Sequence, residues 1–185
     1  MRVLAGALKG QRLVVPRGPT TRPTGDRVRI ACLDTLGPYL DRGPFLDLFA
    51  GAGAVGIEAL SRGAPSAVFV ESDVSALRAL RDNVARLGLL ERAVVMRDDA
   101  ARAVPRLARR GERFAVVFLD PPYVSSRADD ALAAVATGAV LAPDAVAVLQ
   151  HLTKSPPPEG LGVLSPWKAR RFGETTLTFF RSRVD

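Results

Sequence analysis

Short apolar runs alternate with amphipathic stretches along most of the chain. The apolar runs predict five buried strands, over residues 45–49, 67–71, 93–96, 114–120 and 145–150. Helical spacing of apolar residues before and between them predicts five helices, over residues 26–40, 54–62, 73–87, 99–110 and 127–141. Strands and helices in alternation build a parallel sheet covered by helices on both faces. The pattern therefore predicts an α/β fold.

The two ends of the chain depart from this alternation. Residues 1–16 alternate around Gly10, which predicts a small N-terminal β-hairpin. Residues 161–172 and 176–181 have no helix between them and are expected to form a terminal hairpin. We therefore expect an N-terminal arm over residues 1–22 and one α/β domain over residues 23–185.

The first predicted strand runs into a glycine-rich segment. Its glycines, Gly51, Gly53 and Gly56, have the spacing that lets a backbone turn sharply and approach a ligand at a helix N-terminus. About twenty residues later the next strand ends at Glu71, where an acid typically accepts hydrogen bonds from ribose hydroxyls. These features predict an adenosine-binding unit, and by themselves they also fit a dinucleotide dehydrogenase.

Acidic residues favour a different cofactor from a dinucleotide. Asp47, Glu71, Asp99 and Asp120 each lie within or after a predicted strand, and parallel strands bring their carboxyl ends to one edge of the sheet. A pocket lined by these carboxylates repels a pyrophosphate and attracts a sulfonium and an amino group. S-adenosyl-L-methionine carries both cations.

The strand over 114–120 ends in Asp120-Pro121-Pro122-Tyr123. Each proline fixes its own φ and lacks an N–H, so the strand stops in a stiff segment. A carboxylate, backbone carbonyls and an aromatic ring at such an end are suited to hold a planar amine.

Several of these motifs, taken together, resemble one family. They are residues 46–56, Glu71, Asp99 and residues 120–123, and they are similar to the class I methyltransferases that act on exocyclic amines of nucleic-acid bases. Residues 2–13, 22–29 and 171–177 narrow the resemblance to the bacterial small-subunit ribosomal RNA guanine-N2 methyltransferases. One departure is that the family usually carries Glu after its Arg-Val-Arg run, where this chain has Ile30.

The resemblance implies a Rossmann-like class I methyltransferase fold, with a mostly parallel seven-stranded sheet and an antiparallel terminal strand. It implies methyl transfer from S-adenosyl-L-methionine to the exocyclic N2 of a guanine in 16S ribosomal RNA, expected to be guanine 966, in an assembling or assembled small subunit. The expected catalytic residues are Asp120, Pro121 and Tyr123. The expected cofactor-binding residues are Arg22, Thr24, Asp47, Phe49, Gly51, Gly53, Glu71, Ser72, Asp99, Ala100 and Asp120.

Charge supports a nucleic-acid partner. Residues 1–30 carry seven Lys or Arg and one acid, so they hold nearly all of the net charge of +7. Because this basic segment is expected to lie apart from the acidic pocket, it is suited to bind phosphates. The expected RNA-binding residues are Lys9, Arg12, Arg22 and Arg27.

Composition sets further expectations. With one His and Cys32 as the single cysteine, the sequence predicts no metal site and no internal disulfide. No apolar run is long enough for a membrane span and no secretory leader is visible. We therefore expect a cytoplasmic protein, and we expect it to be a monomer.

Two alternatives stay open at this point. The same Asp-Pro-Pro-Tyr segment occurs in adenine-N6 and cytosine-N4 amino-methyltransferases of DNA or RNA. The chain could also be an RNA-binding or dinucleotide-binding module without methyl transfer.

Overall fold

The computed structural model describes residues 1–16, 25–122 and 127–184. Its helices are α1 (Asp26–Leu40), α2 (Ala54–Ser61), α3 (Val74–Arg86), α4 (Ala100–Arg109) and α5 (Arg127–Ala136). Its strands are β1 (Phe45–Leu48), β2 (Ala67–Glu71), β3 (Ala93–Arg97), β4 (Phe114–Leu119), β5 (Leu141–Leu152), β6 (Leu164–Phe172) and β7 (Thr175–Ser182).

The seven strands form one sheet in the order β3-β2-β1-β4-β5-β7-β6. Strands β1 to β5 are parallel, and β7 lies antiparallel between β5 and β6. The α/β fold, the mostly parallel seven-stranded sheet and the antiparallel terminal strand are therefore confirmed. Between β1 and β4 the strand order reverses, and in open α/β sheets ligands bind at the carboxyl ends of the strands at such a point.

Each face of the sheet packs against its own apolar layer. Side chains alternate between the faces, so Val116 and Phe118 of β4 pack with α1, α2 and α3, and Val117 and Leu119 pack with α4 and α5. By the same alternation, the residue after Leu119 faces α1. The alternation along β4 therefore determines that Asp120 projects on the α1 side of the sheet.

Two predicted boundaries near α5 are wrong. This helix ends at Ala136 rather than at residue 141, because Gly138 takes a left-handed φ of 80° and turns the chain. Strand β5 then begins at Leu141, and a bulge in its pairing with β4 lets it start four residues before the predicted strand. Asp144, at a φ of 57°, lies within the irregular segment.

The N-terminal hairpin is smaller than predicted. A single antiparallel bridge joins Arg2 and Arg12, and backbone bonds run from Val3 N–H to the Gln11 carbonyl (2.9 Å) and from Leu13 N–H to the Met1 carbonyl (3.0 Å). A hairpin of one bridge has little stability of its own. Its conformation must therefore depend on contacts with the domain.

Buried polar side chains of α2 and α3 provide those contacts. The Glu58 carboxylate, which is fully buried, accepts from the backbone N–H groups of Leu4 (2.8 Å) and Ala5 (2.7 Å). Asn83 accepts from Val14 N–H (2.7 Å) and donates to the Val14 carbonyl (2.9 Å). Residues 1–16 of the arm are thus hydrogen-bonded to the α/β domain, and Val3 and Leu13 join its core.

Arg29 belongs to this attachment and is not available for RNA. It is fully buried, donates to the Arg2 carbonyl (2.7 Å) and lies 3.8 Å from the Glu58 carboxylate. Burial lowers its pKa, and the neighbouring Glu58 opposes that shift. The excess positive charge that residues 1–30 expose is therefore smaller than their composition indicates.

The start of α2 covers a buried carboxylate. Asp47, 1% exposed, accepts a hydrogen bond from Gly56 N–H in the first turn of the helix (2.9 Å). Desolvation raises its pKa to about 8, the hydrogen bond from Gly56 opposes this, and the carboxylates of Asp120 and Glu71 add to the rise. A side chain at Gly56 would collide with the Phe69 ring and crowd Asp47, so this position requires glycine.

Replacing Asp47 tests its titration. Between about pH 4 and pH 8 the folded protein holds a proton that the unfolded chain has released, so the contribution of Asp47 to stability is lost as the pH rises. In Asp47→Asn the amide oxygen can still accept from Gly56. The free energy of unfolding of this variant should fall less steeply with rising pH than that of the wild type, and the two slopes should differ by up to about 1.4 kcal/mol per pH unit. Urea denaturation at a series of pH values measures this difference, and parallel curves for the two proteins would contradict it.

Removal of Glu58 tests how the arm is attached. Glu58→Ala removes one of the two carboxylates beside the buried Arg29, which keeps Asp26 at 3.1 Å, and leaves two backbone N–H groups without an acceptor. It should therefore lower the free energy of unfolding by about 3 kcal/mol. Hydrogen exchange at the amides of Leu4 and Ala5 should accelerate. The matched control is Glu91→Ala, an exposed acid expected to change stability by less than about 0.5 kcal/mol. Protected arm amides in Glu58→Ala would show that other contacts hold the arm.

Candidate active site at the carboxyl edge of the sheet

Strand register places three polar side chains in one row. Glu71 and Asp120 were predicted from the sequence, and Gln150 was not. Leu48 pairs with Val70 on β2 and with Leu119 on β4, and Leu119 pairs with Leu149 on β5. The residues that follow these pairs are Glu71, Asp120 and Gln150. Because each is two positions after a residue of the α1 side, all three project on that face of the sheet.

In β1 the residue of this row is Phe49, where the chain turns away from the sheet. Phe49 has a φ of 66°, in the left-handed region that non-glycine residues seldom occupy. Gly51 and Gly53, at φ values of 56° and 84°, continue the turn into α2. The ring of Phe49 packs partly buried against the α4 and α5 layer. The predicted glycine loop is thus a left-handed turn at the edge of the sheet.

Glu71 supports this loop. One carboxylate oxygen accepts from Gly51 N–H (2.7 Å), and the other accepts from the backbone N–H groups of Ser72 and Asp73 (2.8 Å each). The carboxylate is half-buried and each of its oxygens has more than one lone pair. No described atom lies within 4 Å of the position that a Cβ on Gly51 would take, so space is open in front of the loop.

The carboxylates of Asp47, Glu71 and Asp120 interact electrostatically, as the pKa of Asp47 indicates. The pKa of the Cys32 thiol on α1 is raised by burial first, and then by Asp47 and Asp120. Asp47 itself lies beneath the glycine loop rather than at its surface. Because its pKa is raised to about 8, Asp47 is mostly uncharged at neutral pH, and its contribution is to the start of α2.

The two acids after β3 have different environments. Asp98 accepts a hydrogen bond from Arg106 (2.6 Å) and lies 3.7 Å from Arg102, so its charge is compensated. Asp99 caps α4 by accepting from Ala101 N–H (3.0 Å) and is half-buried near the end of β2. The methyl group of Ala100 packs in the core, which leaves its backbone as the part that could face a ligand.

The stiff end of β4 adjoins the row. Asp120 is half-buried, Pro121 is buried and Pro122 is exposed. Tyr123, Arg22 and Thr24 lie outside the described residues, so their predicted roles stay predictions. Asp120, Glu71 and the glycine loop are brought to one edge of the sheet.

A groove that the sequence analysis missed lies beside this end of β4. Its volume is about 170 Å³. It is lined by Pro121, Pro122, Asp129, Leu149, Gln150, His151, Leu152, Ser155, Pro156 and Pro157. The detectable signal was the polar pair Gln150-His151 at the end of an apolar strand, but its relevance depends on β5 lying next to β4.

Basic side chains lie on two surfaces. Lys9, Arg12 and Arg27 are exposed, as expected for phosphate contacts. The far end of the arm is close to the pocket, contrary to expectation, because Asn83 also donates to the Ala52 carbonyl of the glycine loop (3.0 Å). A second exposed basic set was not predicted and comprises Lys168, Arg170, Arg171, Arg181 and Arg183 on the β6–β7 hairpin.

Within the described parts of the chain, no helix is long and apolar enough to cross a membrane. The same residues contain no cluster of three or more His, Cys, Asp or Glu that could hold a metal ion.

Comparison with known proteins relates this chain to a family. Residues 1–181 match the family model described as "Conserved hypothetical protein 95". A Bacillus subtilis protein whose assignment as an rRNA methyltransferase is provisional is 38% identical over 183 residues, which cover 99% of this chain and 100% of that protein. The Escherichia coli ribosomal RNA small subunit methyltransferase D is 39% identical over 123 residues, 66% of this chain and 60% of that protein.

Solved structures agree with this relationship. A provisionally described Escherichia coli methyltransferase superposes with a TM-score of 0.85 at 30% identity, covering 98% of this chain and 97% of that one. A Thermus thermophilus protein of unassigned function gives 0.83 at 36% identity, covering 97% and 98%. Family match, whole-length similarity and fold agree, and the chain belongs to the family of the bacterial small-subunit rRNA methyltransferase D.

Proposed function

We propose that this protein transfers a methyl group from S-adenosyl-L-methionine to the exocyclic N2 of one guanine in 16S ribosomal RNA, expected to be guanine 966. The single observation that carries the proposal is the row at the carboxyl edge, where Glu71 and the glycine loop adjoin Asp120 and Pro121. In the proposal, the cofactor lies against Glu71 and the glycine loop, and the amine lies beside it against Asp120 and Pro121. Membership of an rRNA methyltransferase family supports the RNA substrate.

The residues present fit S-adenosyl-L-methionine. The half-buried Glu71 carboxylate has about four lone-pair sites, so one remains for a ribose hydroxyl after it accepts three backbone N–H groups. The open space at Gly51 lets the loop approach the methionine part. Asp99 would accept from the adenine amine, with Ser72 and Ala100 contributing backbone. The negative field of Glu71 and Asp120 attracts the sulfonium and amino groups.

The amine of guanine needs help from the protein because its lone pair is delocalised into the ring. The bound cofactor supplies an electrophilic methyl group. In the proposed geometry the amine donates its two hydrogens to the Asp120 carboxylate and the Pro121 carbonyl, which directs its lone pair at the methyl group. Pro121 and Pro122 keep both acceptors in place. Tyr123 is proposed to stack on the base.

The base must leave its stacked position in the RNA to reach this edge. The proposed substrate is therefore a guanine in an unpaired or extruded position of the small subunit, whether the particle is assembling or assembled. Lys9, Arg12 and Arg27 on the exposed surface, together with Arg22, would bind the flanking phosphates.

The direct test is transfer of an isotope-labelled methyl group to small subunits isolated from cells that lack this protein. Nuclease digestion and mass spectrometry should identify the product as N2-methylguanosine. Labelled N6-methyladenosine or N4-methylcytidine would instead support an amino-methyltransferase with a different base. If the folded protein binds S-adenosyl-L-methionine but transfers no methyl group, it would instead be a binding module.

Two variants separate chemistry from cofactor binding in the same assay. Asp120→Asn should lower the single-turnover rate at least about 100-fold, because the amine loses its anionic acceptor. Its affinity for S-adenosyl-L-methionine, measured by calorimetry, should stay within about threefold. Glu71→Ala should weaken that affinity about tenfold or more. A wild-type rate in Asp120→Asn would show that Asp120 has no role in methyl transfer. Unchanged affinity in Glu71→Ala would show that the proposed cofactor site is wrong.

The salt dependence of RNA binding tests the arm. If Lys9 and Arg12 contact phosphates, replacing both by Gln should weaken binding to the small subunit and flatten the slope of log K against log salt by roughly one to two units. The matched control replaces Arg109 and Arg110 by Gln. These exposed residues lie at the end of α4, at the opposite edge of the sheet. Equal slopes for the wild type and the arm variant would assign recognition to another surface.

A further inference from the structure

The groove beside β4 contains a buried polar group without a partner. Gln150 is 4% exposed, and no hydrogen bond reaches its side-chain oxygen Oε1 from the described residues. A buried carbonyl oxygen without a donor is unfavourable, and such groups in proteins usually have a partner or a function. The mechanism described so far does not use this amide.

Gln150 lies directly beside the proposed amine position. The pair Leu119 and Leu149 puts Gln150 next to Asp120, on the same face of the sheet and one strand spacing away, about 4.8 Å. Gln150 also lines the groove together with Pro121 and Pro122. A base whose amine is held by Asp120 therefore presents its neighbouring edge atoms to Gln150.

Other polar side chains of the groove are less suited to read a base. Both ring nitrogens of His151 are engaged, one with the Leu152 carbonyl (2.9 Å) and the other with the Thr178 hydroxyl (2.8 Å). Asp129 and Ser155 are exposed, so water competes for them. Gln150 is the lining residue that combines burial with an unused acceptor.

The edge of guanine matches a carboxamide at both ends. Next to its exocyclic N2, guanine presents the N1–H donor and then the O6 acceptor. An amide oxygen can accept from N1–H while the amide nitrogen donates to O6. Beside their exocyclic amines, adenine presents the N1 acceptor and C2–H, and cytosine presents two acceptors, N3 and O2. Each of these bases therefore leaves the amide oxygen without a donor, whichever way the amide is turned.

We propose that Gln150 determines the base specificity of this site, with its side-chain amide accepting from N1–H and donating to O6 of the target guanine. This inference rests on the proposed function, since it assumes that the amine of the base lies against Asp120. It goes beyond that function because it assigns the choice of guanine to one residue of β5. The volume of about 170 Å³ suits a single base better than a larger ligand, for which pockets of roughly 300 Å³ or more are usual.

The test uses a base that keeps the reacting amine and lacks the groups read by Gln150. 2-Aminopurine has the same exocyclic N2 amine but has an acceptor at N1 and no O6. Small subunits are reconstituted with RNA that carries guanine or 2-aminopurine at the methylated position. For the wild type, kcat/KM should be about 10- to 100-fold higher with guanine.

Gln150→Leu, which has a similar shape and no polar end, should reduce this ratio about tenfold or more relative to the wild type, mainly by losing activity on guanine. Comparing ratios cancels the different intrinsic reactivities of the two amines. Gln150→Glu keeps an oxygen acceptor and loses the donor to O6, so its ratio should be intermediate. Ser155→Ala, at the same groove, is the matched control and should keep the wild-type ratio. Cofactor affinity and the urea midpoint establish that each variant is folded.

The outcomes distinguish the inference from the function it rests on. If the wild type methylates guanine and Gln150→Leu discriminates against 2-aminopurine as strongly as the wild type, the role of Gln150 is wrong and the proposed function stands. If Gln150→Leu does not fold, the same ratio in Gln150→Glu decides, and a wild-type value there overturns the donor contact to O6. If the wild type transfers no methyl group to guanine, the proposed function and this inference both fail.

Discussion

The left-handed turn after β1 is the constraint on which the site depends. Phe49 occupies a backbone conformation that costs of the order of 1–3 kcal/mol for a residue with a side chain. Two carboxylates hold the chain there, because Asp47 accepts from Gly56 and Glu71 accepts from Gly51. Hydrogen bonds to a carboxylate are stronger than neutral ones, so the bond from Gly51 to Glu71 helps to offset the cost of the turn. Without the turn, the open space in front of Gly51 would not exist at this edge.

The same carboxylates connect structure with chemistry. Burial of Asp47 under α2 raises its pKa, and Asp120 and Glu71 raise it further. The effect of Asp120 and Glu71 on Asp47 reflects their own negative charge, which a cationic ligand would relieve. Asn83 then links the glycine loop to the arm, since it bonds to both Ala52 and Val14. Asn83 therefore connects the arm, which would bind RNA, with the glycine loop, which would bind the cofactor.

Local sequence signals were sufficient for most of the fold. The apolar runs located the end of β2 at Glu71 and the end of β4 to within one residue, since β4 ends at Leu119 rather than at Asp120. Asp73 caps the start of α3, and Gly88 takes a left-handed φ just after its end. Sequence could not reveal that Arg29 is buried against Glu58, because a count of charges does not say which of them are paired. It also missed Gln150, because its proximity to Asp120 follows from the order of strands in the sheet rather than from their order in the chain.

In the proposed function, the edge formed by Asp120 and its neighbours methylates N2 of one guanine of the small-subunit RNA. The most direct measurement is quantitative mass spectrometry of 16S rRNA from the host with and without this protein, in cells complemented by the wild type or by Asp120→Asn. A single N2-methylguanosine should disappear in the deletion strain, return with the wild type and not return with Asp120→Asn. An unchanged set of modified nucleotides, or loss of a methylated adenine or cytosine instead, would contradict it.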